Sequence, residues 1–294
     1  MNRQIEIETA AATSPLVEFW NDVLAPKFIG YRHIVVDGLS RHSEVVFPML
    51  NVEQGQRILD VGCGFGDTAI ALANATGPKG EVLGVDCCEA FLQFGRDAAR
   101  RDAITNLRFL AGDVERGIDE PPFDMVFARF GTMFFVNPVA GLRAIRTCLK
   151  PGGRIAHIVW RERPDNPWLN EARDIVRRFL PPPGEDAVTC GPGPFSMADE
   201  TMTRAQMTAA GFEDIVFRRV DAKVRVGRDV ADAIAFQLAL GPAGETFRTA
   251  GPLGEERRPE IEAALARMFE AVIAREGDLW MDSSSWLITA RNPA

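Results

Sequence analysis

Arg57-Ile-Leu-Asp-Val-Gly-Cys-Gly-Phe-Gly-Asp67 is the stretch that decides how this chain folds. Ile58 to Val61 reads as a short buried strand, and Asp67 to Thr76 reads as a helix. Between them, Gly62, Gly64 and Gly66 make a turn that no side chain crowds. Glycine serves such a turn twice: it takes positive φ without a steric cost, and it lets backbone approach a ligand closely. A strand, a glycine turn and a helix in this order point to nucleotide binding, and the spacing narrows the choice. Dinucleotide sites use G-x-G-x-x-G/A, whose third small residue would fall at Asp67. Here the third glycine comes one residue early, giving D-x-G-x-G-x-G with Asp60 in front.

That string resembles the first motif of the class I S-adenosylmethionine (SAM)-dependent methyltransferases, and the resemblance continues in order over roughly residues 55 to 160. Glu81 to Asp86 reads as a second strand ending in an acid 22 residues after Gly64. An acid at that strand end can accept hydrogen bonds from both ribose hydroxyls. Leu107 to Leu110 reads as a third strand, followed by Ala111-Gly-Asp-Val114, whose acid faces the adenine amino group in the family. Phe123 to Phe127 reads as strand four. Leu149-Lys-Pro-Gly-Gly-Arg-Ile-Ala-His-Ile-Val-Trp160 runs through a Lys-Pro-Gly-Gly turn, another family hallmark, into strand five.

The likeness is to the ubiquinone/menaquinone-biosynthesis C-methyltransferase type, which acts on small molecules. It implies an α/β fold: a doubly wound, Rossmann-like, seven-stranded and mostly parallel sheet with the last strand antiparallel. An N-terminal helical lid and helical insertions complete it. The implied cofactor is SAM, with S-adenosylhomocysteine as product. The implied cofactor residues are Asp60, Gly62, Cys63, Gly64, Gly66, Asp86, Cys87, Gly112, Asp113, Val114 and Arg129.

Composition bounds the partners. The chain has 294 residues, of which 46% are hydrophobic and 25% charged, ordinary values for a globular soluble protein. A net charge of −8 argues against a nucleic-acid footprint, which is basic. Met1 to Thr13 mixes charges and has no apolar run of the secretory kind. No apolar stretch of about 18 residues spans a bilayer. The five cysteines contain no CxxC pair, which suits a reducing cytosol, so a cytoplasmic protein is expected. Cys63 and the adjacent Cys87-Cys88 read as small pocket-lining residues rather than as the thiols of an arsenic methyltransferase. No His/Cys spacing calls for a metal. The expected partner is a small-molecule substrate, and the expected state is a monomer or homodimer.

Four segments are expected. Residues 1–50 form the helical lid, with Pro15 to Leu24 and Phe28 to Leu39 helical and apolar-faced. Residues 51–160 form the SAM-binding core. Residues 161–204 form a proline-rich insertion over the active site, too rich in proline for regular structure across its middle. Residues 205–294 return to the core, with a helical insertion over 228–276. There, Val230 to Leu240 and Pro259 to Arg275 read as helices parted by a Gly/Pro-rich loop. A strand runs from Gly211 to Val226, and Trp286 to Ala290 reads as the last strand.

In an open α/β sheet the ligand lies beyond the carboxyl ends of the strands. After strand four, Ala128-Arg-Phe-Gly-Thr-Met-Phe-Phe-Val136 sets apolar and aromatic residues beside one arginine. This suggests a greasy acceptor pocket with a single polar anchor, built from Tyr31, Phe130, Met133, Phe134, Trp160 and Trp168. Each of these aromatics has a competing reading as core. Methyl transfer is mostly in-line positioning and exclusion of water. An oxygen or carbon nucleophile also needs a proton removed. Of the three histidines, His157 reads as a core residue of strand five, and His33 is the candidate base, with a plain surface histidine as its alternative. A nicotinamide-dependent oxidoreductase and a SAM-binding protein without turnover stay open as other readings.

Overall fold

A computed structural model of the chain describes residues 14–184, 187 and 189–294. The stretch Met1 to Thr13, read above as carrying no secretory run, lies outside the described residues. The first described segment is a chain of helical turns: α1 (Pro15–Phe19), a π-type turn (Trp20–Leu24), α2 (Ala25–Gly30), a second π-type turn (His33–Gly38) and α3 (Ser40–Val46). Ser14 caps the start by accepting the Val17 N–H at 3.2 Å, and Pro15 sits at the first helical position, where no N–H is needed.

The sheet follows. Its strands are β1 (Arg57–Val61), β2 (Glu81–Asp86), β3 (Leu107–Ala111), β4 (Phe123–Arg129), β5 (Leu149–Trp160), β6 (Glu213–Arg225) and β7 (Trp280–Arg291). They lie in the order β3-β2-β1-β4-β5-β7-β6, with β7 antiparallel to both of its neighbours. This is the seven-stranded, doubly wound sheet expected, with the last strand reversed. β1 and β4 are buried on both faces, as the Ile/Leu/Val and Phe/Met/Val runs demand in the middle of a parallel sheet. From β1 the chain winds out to β2 and β3, then returns to lay β4 on the other side of β1. The crevice at this reversal opens beyond Val61, which is level with Val85 and Ala128.

The remaining helices are α4 (Asp67–Thr76), α5 (Glu89–Arg101), α6 (Pro138–Thr147), α7 (Pro167–Val176), α8 (Glu200–Ala210), α9 (Val230–Ala239), α10 (Gly241–Thr249) and α11 (Pro252–Glu276). Several correct the sequence reading. The middle of the 161–204 segment, 177–199, holds no helix or strand among its described residues, but the start of the segment is helical: Pro167 opens α7, and buried Asn166 fixes that start to β7 through Ser284. The Gly/Pro-rich stretch expected as a loop after Leu240 is α10, opened by Gly241-Pro242. In α11, Pro259 lies inside the helix rather than at its start. The carbonyl it leaves without an i→i−4 donor belongs to exposed Glu255. β7 is also longer than Trp286 to Ala290, because β6 pairs with it from Trp280 onward.

One large apolar cluster joins α7, α9, α10 and α11 to the sheet, with Trp168, Leu169, Phe236, Phe247, Leu265 and Phe269 among its buried members. The N-terminal turns are tied down differently. His42, fully buried on α3, shares hydrogen bonds with Ser283 (2.7 Å) and Ser285 (2.9 Å) of β7.

Candidate active site

The glycine turn is built as its sequence requires. Gly62, Gly64 and Gly66 all have positive φ, at 65°, 53° and 83°. A Cβ on Gly62 would stand 3.1 Å from Gly131 Cα, so the ends of β1 and β4 meet backbone to backbone. A Cβ on Gly64 would meet nothing within 4 Å, because that position faces open space. Gly66 differs: a Cβ there would strike the Phe109 ring at 2.8 Å and Gly95 Cα at 2.9 Å. It therefore lets α4 pack on its neighbours and, contrary to the expectation of a ligand contact, does not line the crevice.

Beyond the turn lies a cavity of about 570 Å³. Gly62, Cys63, Gly64, Asp86, Cys87, Gly112, Asp113, Val114 and Arg129 line it, together with Phe130, Met133, Phe134, Trp160 and Trp168. Asp86 accepts the Gly64 N–H through Oδ2 and the Cys88 N–H through Oδ1, each at 2.9 Å. Burial raises the Asp86 pKa, and the backbone donors from Cys88, Gly64 and Cys87 oppose that rise. Arg129 pairs with Asp67 at 2.7 Å and donates to Ser43 at 2.8 Å, joining the start of α4 to α3. Asp113 caps its own turn by accepting the Glu115 N–H at 3.0 Å.

Asp60 lies beneath this floor and is fully buried rather than part of the cavity wall. Its Oδ2 accepts the Thr68 hydroxyl at 2.7 Å, while Oδ1 has no partner among the described residues. Burial pushes its pKa up to about 7, against the lowering effect of the Thr68 hydrogen bond and of Arg129. Asp86, Cys87 and Cys88 bring donor atoms within 4.8 Å of one another. The Cys88 thiol is buried, and the Cys87 hydrogen bond and burial raise its pKa, which makes it a poor metal donor.

The acceptor end is aromatic. Phe130 stacks on Trp160 with ring centroids 3.8 Å apart, and Trp168 meets Trp160 edge-on at 5.2 Å. Trp20 reaches in from the N-terminal turns and meets Phe134 at 5.1 Å and Phe28 at 5.4 Å. Two expected residues lie elsewhere. Tyr31 packs on Phe236 at 5.7 Å, and His33 Nε2 lies 2.8 Å from Asp232 Oδ2 on α9. Neither lines the cavity, so His33 is held by its hydrogen bond to Asp232 away from the place where a base would act. His157 is buried in β5 beside the Thr132 hydroxyl at 3.0 Å, and burial drives its pKa down to about 3. Leu16, Trp20, Leu24 and Phe28 also line the cavity. Their spacing of four residues was a legible signal for one helical face.

A Methyltransferase domain family matches residues 52–172, which hold β1 to β5 and the glycine turn. The matched domain is that of the class I SAM-dependent methyltransferases. It is 28% identical to the demethylmenaquinone methyltransferase of Staphylococcus epidermidis over 182 residues, which cover 59% of this chain and 74% of that one. It is 29% identical to the ubiquinone/menaquinone biosynthesis C-methyltransferase UbiE of Idiomarina loihiensis, over 59% of this chain and 72% of that one. In fold it resembles phosphoethanolamine N-methyltransferase 2 of Haemonchus contortus, with a TM-score of 0.56 at 15% identity, over 97% of this chain and 61% of that one. The methyltransferase thus uses SAM to methylate a small molecule. Neither the oxidoreductase reading nor that of a cofactor-binding protein without turnover finds support. Among the described residues of the methyltransferase, no helix is long and apolar enough to cross a membrane.

Proposed function

We propose that the methyltransferase binds SAM over the glycine turn and methylates a largely apolar or aromatic acceptor held at the other end of the same cavity. The observation that carries this reading is the cavity itself. It runs from Gly62, Gly64 and Asp86 to Phe130, Phe134, Trp160 and Trp168, and its volume lies in the range of small-molecule sites, about 300–1,000 Å³.

In this reading Asp86 takes the ribose hydroxyls with the lone pairs left over from its two backbone contacts. The Gly62-to-Gly64 backbone faces the amino-acid end, and Asp113 with Gly112 and Val114 holds the adenine. Asp60 acts from below: its unpartnered Oδ1 and raised pKa favour a nearby cation, and the α-ammonium of the cofactor supplies one. When bound, SAM supplies an activated methyl whose bond to the acceptor forms as its bond to sulfur breaks. The protein contributes alignment and dryness, through the Trp20, Phe28 and Phe134 wall and the Phe130–Trp160 stack. Among the described residues no histidine lines the cavity, and of its carboxylates Asp67 and Glu245 are ion-paired while Asp86, Asp113 and Glu115 accept backbone N–H groups, so an acceptor that is already ionised or electron-rich suits it best. The N-terminal turns up to residue 50 serve as a cover over the core of 51–160. The 161–204 segment and the 228–276 helices shape the acceptor end.

The test is an acceptor screen with methyl-labelled SAM, run beside the Phe134→Ser variant. Apolar aromatic acceptors should be methylated by the parent enzyme. The variant should raise acceptor KM while leaving S-adenosylhomocysteine affinity unchanged. Turnover confined to polar amines or sugars would reject the reading.

A further inference from the structure

Three arginines from one segment line the cavity: Arg163, in the turn after β5, and Arg173 and Arg177, one helical turn apart at the end of α7. They are close enough that Arg173 and Arg177 both depress the pKa of Arg163, after the larger effect of burial. Like charges gathered on one wall repel, and although Arg163 and Arg177 are exposed to water, an anionic counter-charge would relieve that repulsion. The protein supplies little of it. Arg173 bonds Asp174, its neighbour on the helix, at 2.6 Å. Arg163 lies over the Phe195 ring at 4.6 Å, and neither it nor Arg177 has a carboxylate partner among the described residues. The carboxylates that line the cavity are committed elsewhere. Asp67 is paired with Arg129 and Glu245 with Arg248, while Asp86, Asp113 and Glu115 stand at the strand ends. Arginine offers flat, forked donors that match an oxyanion, and a chain of net charge −8 concentrates such cations only locally.

We propose that the methyl acceptor carries an oxyanion, a carboxylate or a phosphate, on its apolar body, and that Arg163, Arg173 and Arg177 hold that group. This rests on the reading of the cavity as the acceptor site. Trp168 and Leu169, from the same helix, line the cavity for the apolar body while the arginines take its charged end. The acceptor is thereby oriented along its length, with the end remote from the charge directed at the glycine turn.

The experiment is calorimetric titration of the S-adenosylhomocysteine-loaded protein with decanoate, decyl phosphate and decanol, which share a chain and differ in the head. At least one anion should bind roughly tenfold or more tighter than decanol, and the order of the two anions tells carboxylate from phosphate. The Arg163→Gln/Arg177→Gln variant should lose the preference, whereas Arg163→Lys/Arg177→Lys should keep most of it. Equal binding of all three probes, or a preference that survives the glutamine variant, overturns the proposal. If the parent protein fails to bind S-adenosylhomocysteine, the cofactor-site reading falls first and takes this inference with it. Cofactor binding without head-group preference removes the inference alone.

Discussion

Asp86 Oδ2 accepts the backbone N–H of Gly64 at 2.9 Å, so the acid at the end of β2 also holds the glycine turn in shape. The carboxylate therefore has two tasks, and its removal should show both. A hydrogen bond to a charged group is worth roughly 1.5–3 kcal/mol, so Asp86→Ala should weaken S-adenosylhomocysteine binding by about 10- to 150-fold. The N–H groups of Gly64 and Cys88 also lose their acceptor, which should lower stability by roughly 1–3 kcal/mol for each one left buried. Asp86→Asn keeps one acceptor oxygen and should fall between. Calorimetric titration and denaturant unfolding read the two effects separately. A change in affinity of less than about threefold would remove Asp86 from the cofactor site.

Asp60 should oppose folding when it ionises without a ligand. Its pKa rises from 3.8 to about 7, so the folded chain holds a proton that the unfolded chain has given up. For a raised acid the sign is a destabilisation that grows from about pH 4 to about pH 7 and is complete above, at most about 4 kcal/mol. Asp60→Asn removes the charge and should make the free protein more stable at about pH 8, with the advantage shrinking toward about pH 5. The same variant should bind S-adenosylhomocysteine less tightly. Unfolding curves of both proteins across this range test the claim, and a parent protein that stays the more stable at high pH would sink it.

How much of this was legible in the sequence follows from the range of each interaction. The run from Arg57 to Asp67 carries its own geometry, because strand, positive-φ glycines and helix start are local, and the sheet order follows from the family pattern. Gly66 looks like its neighbours in sequence, yet its purpose is set by Phe109 and Gly95, which lie 29 and more residues away. His33 drew attention by sitting beside Tyr31 and Arg32. Its actual partner is Asp232 on α9, 199 residues distant, and no local pattern encodes that contact. Prolines misled in the opposite sense: Pro167, in the proline-rich segment, and Pro242 and Pro252, in the Gly/Pro-rich stretch after Leu240, each stand at the first turn of a helix, where proline is welcome, rather than in a loop.

His42 should make the fold acid-sensitive. Burial and, next, the charge of Arg129 lower its pKa to about 4, against a raising effect of Asp221. A depressed histidine contributes stability above its unfolded pKa of about 6.5 and loses it as pH falls toward about 4, here up to about 3 kcal/mol. His157 and Asp60 titrate in overlapping ranges, His157 adding to the loss and Asp60 opposing it. The clean quantity is therefore the stability difference between the parent and His42→Gln. That difference should favour the parent near neutral pH and shrink as the solution is acidified. Because His42 ties α3 to Ser283 and Ser285 of β7, its protonation should loosen the N-terminal turns first, which hydrogen exchange of residues 14–50 would register. A gap independent of pH would mean that His42 is not held neutral.

Phe130 holds a left-handed backbone at φ 57° while its ring stacks on Trp160 at 3.8 Å. A residue with a Cβ in this region carries roughly 1–2 kcal/mol of strain, which persists only where the surroundings enforce it. Here the enforcement comes from both sides: the Phe130 N–H donates to Ile158 at 2.8 Å, and the ring is caught between Trp160 and His42. Phe130→Ala and Phe130→Gly remove the same ring, so both should weaken acceptor binding and lose packing. They differ in two backbone effects: glycine relieves the strain, and its greater unfolded-chain entropy takes back roughly 0.5–1 kcal/mol. Phe130→Gly should therefore be the more stable variant by about 0.5–1 kcal/mol, the reverse of the usual order of alanine and glycine in a folded segment. Denaturant unfolding of the pair decides it: if the alanine variant is the more stable, Phe130 stores no strain and its place at the cavity wall is a matter of packing alone.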